Sequence, residues 1–194
     1  MRKSHLFVLV LVLSLNLVFF KTTNSQGLAG RLDICSPNQN PNIEWSKCNK
    51  SKSKQWVEFD ENENIVYWEW KNKSNDWCGW GLRLPQSNLQ PYHNDYSVKI
   101  VFNSESIFDK NNPPSIKFVD ISDNSSAIVQ LGENYLATIN TTTENTIYTI
   151  PLKDFYRNDS KLTNLKYMQF EANWNSSVGK IKIAEIAIEN TSSP

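Results

Sequence analysis

The stretch Ile65-Val66-Tyr67-Trp68-Glu69-Trp70-Lys71 alternates apolar and polar residues with the period of a half-buried β-strand. Val66, Trp68 and Trp70 share one face, and the polar residues share the other. A second tryptophan-rich stretch, Trp77-Cys78-Gly79-Trp80-Gly81, follows shortly after. Such a cluster of large flat rings forms either a dense core or a stacking surface for a flat ligand.

Further short alternating segments surround this stretch, separated by turn-forming residues. The last segment changes parity at Ala184-Glu185, which predicts a β-bulge within one strand. No long helical period is present. The pattern therefore predicts an all-β fold, a two-sheet β-sandwich of the jelly-roll, galactose-binding-domain-like type. The predicted strands, besides 65–71, are 80–84, 96–102, 115–121, 127–131, 135–139, 146–152, 166–172 and 181–188.

The N-terminus has the pattern of a secretory signal peptide. Arg2 and Lys3 precede an apolar run from Leu6 to Phe20, which is short for a membrane span of roughly 20 residues. We expect cleavage near Gln26 and a secreted, extracellular protein with no membrane anchor. The predicted organisation is a signal peptide (1–25), a polar N-terminal lead-in with a disulfide (26–54) and the β-sandwich (55–194).

The charge of the predicted mature chain argues against two classes of partner. The whole chain has 20 basic and 20 acidic residues, and the signal peptide contains Arg2, Lys3 and Lys21 but no acidic residue. The remaining 17 basic and 20 acidic residues give a formal charge of −3. A mildly acidic chain without a basic stripe does not favour binding to nucleic acid or to an anionic membrane.

Three cysteines remain in the mature chain, and an oxidising compartment favours a disulfide. Cys35 and Cys48 flank a short polar loop, so we expect them to pair and Cys78 to be left over. Three thiols allow three single bridges, so pairings with Cys78 stay open. A metal site is not expected, since His93 is the only histidine of the mature chain and no spacing fits a zinc site.

The mature chain has seven Asn-x-Ser/Thr acceptors for N-glycosylation. Acceptors that are used must lie on the surface, so they predict the positions of loops. The candidate sites are Asn49, Asn72, Asn124, Asn140, Asn158, Asn175 and Asn190.

Four segments carry a resemblance to a known family. The segment 75–81 (Asn-Asp-Trp-Cys-Gly-Trp-Gly) resembles the Trp-Gly-Trp-Gly element of family 29 carbohydrate-binding modules. The segment 148–155, with Ile-Pro-Leu before a loop that ends in phenylalanine, is similar to an element of jelly-roll carbohydrate-binding modules in general. The segments 165–170 and 179–186 resemble their closing strand pair. Together they carry the resemblance over most of residues 56–189.

The resemblance implies a sugar-stacking turn and also shows two departures. Both tryptophans of the family element stack on sugar rings, whereas here only Trp80 matches directly, Cys78 replaces the other ring and Trp77 lies one residue earlier. Many relatives bind structural calcium through an aspartate pair, where this chain has Ala184-Glu185. This second departure argues against a calcium site, and no cofactor is expected.

Exposed aromatic residues near the turn are the candidate stacking surface, with Arg83 as a reader of sugar hydroxyls. Trp80 has the parity of Leu82 and Leu84, so burial in the core is the competing interpretation. The same holds for Trp68 and Trp70. The candidate carbohydrate-binding residues are Trp77, Trp80, Arg83, Tyr92 and Trp174.

The sequence therefore favours a secreted, non-catalytic protein that binds a polysaccharide or glycan. One alternative is a small jelly-roll glycoside hydrolase, which needs two carboxylates about 5–9.5 Å apart. Glu69 and Glu171 are its only candidate pair. Another alternative is a structural or adhesive matrix or coat protein with buried tryptophans, since a fold does not determine a function.

Overall fold

In a computed structural model, which describes residues 30–73, 76–85, 87–139, 143–156, 161–172 and 178–191, the chain forms two antiparallel sheets packed face to face. Single-turn 3-10 helices occur at Gln90–Tyr92, Glu133–Tyr135 and Leu152–Phe155. None of the helices within the described residues is long and apolar enough to cross a membrane. The strands are β1 (Arg31–Cys35), β2 (Ile43–Cys48), β3 (Lys54–Asp60), β4 (Ile65–Lys71), β5 (Cys78–Arg83), β6 (Tyr96–Phe102), β7 (Ile107–Phe108), β8 (Ser115–Asp120), β9 (Val129–Gln130), β10 (Leu136–Ile139), β11 (Thr146–Pro151), β12 (Leu165–Ala172) and β13 (Val178–Asn190).

The two sheets differ in size. The larger sheet has eight strands in the order β10-β11-β6-β13-β4-β3, with β1 and β7 also paired to β13. The smaller sheet has five strands in the order β2-β5-β12-β8-β9. This architecture confirms the predicted two-sheet sandwich.

The core between the sheets is built from the inward residues of each alternating strand. Trp68 and Trp70 of β4 lie in the eight-stranded sheet and are almost fully buried. Across the core, Trp80 of β5 stacks on Phe170 of β12 with ring centroids 4.6 Å apart and planes at 12°. The alternating stretch 65–71 therefore contributes its tryptophans to the centre of the core.

The parity change at Ala184-Glu185 is a β-bulge within a single strand, as predicted. The pairing of β13 with β6 shifts register between Ile183 and Glu185. The Glu185 carboxylate accepts from Arg31 at 2.9 Å and pairs with Lys99 at 3.0 Å.

The disulfide joins Cys48 to Cys78, so the predicted Cys35–Cys48 pairing is wrong. The chain crosses from one sheet to the other between Cys35 and Cys48, because β1 pairs with β13 and β2 pairs with β5. Cys48 then lies directly opposite Cys78, with Cα atoms 4.0 Å apart. Cys35 is a free thiol buried in the core.

The segment predicted as a lead-in contributes a strand to each sheet, so the sandwich begins well before residue 55. The predicted signal peptide lies in residues 1–29, outside the described part of the chain.

The structure describes four of the seven candidate glycosylation sites. Asn49 and Asn124 are exposed, and Asn190 is half-buried. Asn72 is buried, and its Nδ2 donates to the carbonyl of Ala172 at 3.0 Å. A glycan on that nitrogen is incompatible with this packing, so Asn72 is removed from the candidates. The other three sites (Asn140, Asn158 and Asn175) lie outside the described residues.

Candidate functional site

The outer face of β5 lacks side chains at two positions. Alternation places Trp80 and Leu82 in the core and leaves Gly79 and Gly81 on the outer side. A methyl group at Gly81 would collide with the indole of Trp45. At Gly79 it would stand 3.1 Å from Cζ3 of Trp77. The two indoles therefore lie directly against the backbone of β5, in space that only glycine leaves open.

Three aromatic side chains form a row across this face, hereafter the aromatic row (Trp77, Trp45 and Tyr167). Trp77 precedes β5, Trp45 lies in β2 and Tyr167 lies in β12. Trp45 meets Trp77 edge-on at 6.4 Å between centroids and Tyr167 at 5.8 Å. All three are half-buried, so each ring is held by the sheet and still meets solvent. Partial burial also raises the pKa of Tyr167, which keeps its hydroxyl protonated.

A polar network lies beside the row on β12 and β8. Lys117 Nζ donates to Glu171 Oε1 at 2.9 Å, and Gln169 Nε2 donates to the same oxygen. Gln169 is almost fully buried. Amide and carboxylate groups are thus fixed at the edge of the row, where they can bind hydroxyl groups.

Cations surround the aromatic rings. Lys47 Nζ lies 5.6 Å from the ring centroid of Trp45 and 6.0 Å from that of Trp77, and Lys166 Nζ lies 5.5 Å from that of Tyr167. Lys166 also pairs with Glu44 at 3.8 Å, and Arg83 pairs with Glu44 at 3.5 Å.

Two of the predicted site residues lie on this face. Trp77 belongs to the aromatic row, and Arg83 is exposed at the end of β5. Trp80 is fully buried, so the prediction that it stacks on sugar is wrong. Its parity with Leu82 decided its position, as the competing interpretation held.

Tyr92, one of the remaining two predicted residues, does not join the row. Tyr92 packs against the core and meets Tyr96 of the eight-stranded sheet edge-on at 5.1 Å. Trp174 lies outside the described residues.

The prediction missed Trp45 and Tyr167. Trp45 lies in the segment predicted as a lead-in, which is polar and weakly patterned in sequence. Tyr167 lies on the polar parity of the predicted strand 166–172, and that position alone does not mark a binding residue. The alternation of Gly79 and Gly81 on one side of β5 was the available signal, because paired glycines leave room for rings from neighbouring strands.

The carboxylate pair proposed for a hydrolase is separated by the whole sandwich. Glu69 lies on the outer face of the eight-stranded sheet, and Glu171 lies on the outer face of the five-stranded sheet. The two cannot flank one glycosidic bond, since hydrolysis needs both within a single cleft. Among the described residues no group of three or more histidine, cysteine, aspartate or glutamate residues could hold a metal ion.

No family model matches the sequence, and no curated protein sequence matches it. Solved structures do match. A family 30 carbohydrate-binding module of a Clostridium thermocellum cellulosomal cellulase superposes with a TM-score of 0.58 at 13% identity, covering 84% of this chain and 99% of the module. The chain has the jelly-roll fold of these modules.

Two other structures extend the likeness. A family 11 module of a C. thermocellum cellulosomal cellulase has a TM-score of 0.55 at 12% identity, over 84% of this chain and 95% of the module. A β-1,2-glucanase from Parabacteroides distasonis has a TM-score of 0.57 at 16% identity, over 84% of this chain but 25% of the enzyme. The likeness therefore lies with jelly-roll carbohydrate-binding modules of families 30 and 11, and a specific relation to family 29 stays a prediction.

Proposed function

We propose that this protein is a secreted, non-catalytic carbohydrate-binding protein that holds a β-linked polysaccharide across the outer face of its five-stranded sheet. The observation that carries the proposal is the aromatic row seated on the two glycines of β5. The proposed site keeps Trp77 and Arg83 from the residues expected from the sequence and adds Trp45 and Tyr167.

The rings suit sugar because of their shape and their partial burial. A pyranose with equatorial hydroxyls has apolar C–H faces, which exclude water when they lie against an aromatic ring. Successive rings at 6.4 and 5.8 Å offer contacts to neighbouring units of one chain. Because the backbone and the edge-to-face contacts already hold the rings, binding costs little side-chain entropy.

The polar groups beside the row suit hydroxyl recognition. Gln169 and Glu171 are fixed by their mutual hydrogen bond and by Lys117. Arg83 and Glu44 form a second polar pair on the same face. Directed groups of this kind give orientation and specificity, whereas the rings supply most of the affinity.

The structural neighbours support this function. The similar modules come from cellulosomal cellulases, and the matching enzyme is named for a β-linked glucan. Secretion rests on the N-terminal signal pattern, and the exposed Asn49 and Asn124 are the best placed candidates for glycosylation.

The test is polysaccharide binding by the mature protein and by Trp45→Ala, measured by affinity electrophoresis and calorimetry on a panel of soluble β-glucans. Removing a central anchor of a binding surface costs about 2 kcal/mol or more, so we expect at least about thirtyfold weaker binding. Trp56→Ala is the matched control, because Trp56 is 64% exposed on the other sheet. Unchanged binding by Trp45→Ala, with a native melting curve, would rule out this face as the site.

A further inference from the structure

A pocket lined by three lysines and no carboxylate lies next to Trp77, at the end of the aromatic row. The pocket has a volume of about 430 Å³ and lies between the end of β2 and the start of β3. Its lining includes Lys47, Lys50 and Lys54, and its other lining residues are uncharged. Local potential there is positive, although the mature chain as a whole is expected to be acidic.

Lys47 connects this pocket to the aromatic row. Its ammonium group lies within 6.0 Å of the ring centroids of both Trp45 and Trp77, and the side chain also lines the pocket. No carboxylate within the described residues forms an ion pair with it. The other cations of the face are neutralised at least in part, since Lys117 pairs with Glu171, and Arg83 and Lys166 share Glu44.

One buried carboxylate, that of Asp76, lies close to the pocket; its Oδ1 is hydrogen-bonded, whereas its buried Oδ2 has no hydrogen-bond partner among the described residues. Asp76 Oδ1 accepts from the backbone N–H of Lys50 at 3.0 Å and from that of Trp77 at 2.8 Å. Asp76 is fully buried. It fixes the turn that presents Trp77 but does not reach the pocket to pair with the ammonium of Lys47.

We propose that this pocket binds a negatively charged substituent of the sugar chain, so that the preferred ligand is an acidic polysaccharide. The inference rests on the proposed function of the aromatic row. The shared chemistry is an anionic group at the edge of a stacked pyranose, either the carboxylate of a uronic acid or a sulfate ester.

The position of Lys47 explains the preference. A neutral sugar that stacks on Trp77 displaces the ammonium from the two ring faces and offers it only hydroxyl groups. An acidic sugar keeps the ring contact and adds a charge-assisted hydrogen bond to the displaced ammonium. The charge therefore contributes to specificity and to the association rate.

The experiment compares ligands that differ only in charge. Oligosaccharides of β-1,3- and β-1,4-linked glucans are titrated in neutral form, in C6-oxidised (uronate) form and in C6-sulfated form at equal length. The protein is produced without N-glycans, because Asn49 of a candidate glycosylation site lines the pocket. We expect at least one anionic form to bind about fivefold more tightly than its neutral counterpart, as suits one partly exposed ion pair.

The variants assign that preference to the pocket. Lys54→Gln, a change on the side of the pocket away from the rings, should reduce the anionic-to-neutral ratio while leaving neutral binding in place. Lys47→Gln should reduce the ratio as well, but it also removes the ammonium that a neutral sugar must displace, so neutral binding is measured separately for that variant. Lys180→Gln, on the opposite sheet, should leave the ratio unchanged. Raising NaCl from 0.1 to 1 M shortens the Debye length from about 10 Å to about 3 Å and should also reduce the ratio.

The outcomes separate the two proposals. A preference for uronate over sulfate, or the reverse, identifies the anion. If a neutral form binds as well as its anionic counterparts, the acidic preference is wrong and the proposed function stands. If no member of the panel binds, both proposals are overturned.

Discussion

The two sheets both present tryptophan on their outer faces but hold it in different ways. On the five-stranded sheet, Trp45 and Trp77 are half-buried against the glycines of β5 and against each other. On the eight-stranded sheet, Trp56 is 64% exposed on the edge strand β3, and its Nε1 donates to Glu58 at 2.9 Å. An exposed ring is therefore not the best mark of a binding surface, because a ring held in place loses less entropy when a ligand binds.

The two faces also differ in charge. The groove beside Trp56 is lined by three carboxylates (Glu58, Asp60 and Glu69) and a single lysine, Lys180. The pocket beside Trp77 is lined by three lysines and no carboxylate. An anionic chain is repelled by the first groove and attracted by the second pocket. Both differences support the proposal that the ligand binds to the five-stranded sheet.

The largest effect is expected from removing the core ring beneath the binding face. Trp80→Ala leaves a cavity next to Phe170 and should lower the free energy of unfolding by about 3–5 kcal/mol. Denaturant unfolding measures this loss. A loss below about 1 kcal/mol would mean that Trp80 is not packed in the core, and the distinction between the two sides of β5 would fail.

The disulfide should come next in size. Cys48–Cys78 closes a loop with a sequence separation of 30 and ties β2, which carries Trp45, to β5. On the chain-entropy account its loss costs about 3–4 kcal/mol. The Cys48→Ser/Cys78→Ser double variant should unfold earlier in denaturant and bind polysaccharide more weakly. Peptide mapping without reduction provides the control, and a bridge that includes Cys35 would contradict the assignment.

A smaller effect is expected from one methyl group on the binding face. In Gly81→Ala the added Cβ collides with Trp45 and must shift that ring, so binding should weaken by about tenfold, or ~1.4 kcal/mol. Gly132→Ala is the matched control, because a Cβ there meets nothing within 4 Å. Equal binding by both variants would show that the position of Trp45 on β5 is unimportant.

The smallest effect is expected in the reactivity of Cys35, the free thiol of the eight-stranded sheet. Burial, with a further contribution from Glu185, raises the pKa of Cys35 to about 12, against an ordinary thiol near 8.5. Since the thiolate is the nucleophile, alkylation by iodoacetamide in the folded protein should be very slow at pH 8 and should still increase above pH 10. An alkylation rate that levels off near pH 9 would indicate an exposed Cys35.

The strand pattern predicted the sandwich because alternation reports directly which side of a strand is buried. The bulge in β13 followed from the same signal. The bridge could not be predicted from loop length, since Cys35 and Cys48 are near in sequence but lie in different sheets. Only the pairing of β2 with β5 brings Cys48 opposite Cys78.

The site was predicted in part, for a similar reason. Trp77 and Arg83 are local to the recognised turn, whereas Trp45 and Tyr167 reach the row through strand pairings far apart in sequence. The resemblance also directed attention to Trp80, whose parity placed it in the core. A site assembled from three strands can be predicted only when the register between those strands is known.

The most direct test of the binding face is a titration followed by nuclear magnetic resonance. An oligosaccharide that binds the protein is added in steps, and the tryptophan indole and glycine amide signals are recorded. We expect the indole signals of Trp45 and Trp77 and the amide signals of Gly79 and Gly81 to shift together with one dissociation constant. The indole signal of Trp56 should not shift. Shifts at Trp56, with no change at Trp45 and Trp77, would mean that the ligand binds to the eight-stranded sheet and that the aromatic row is not the site.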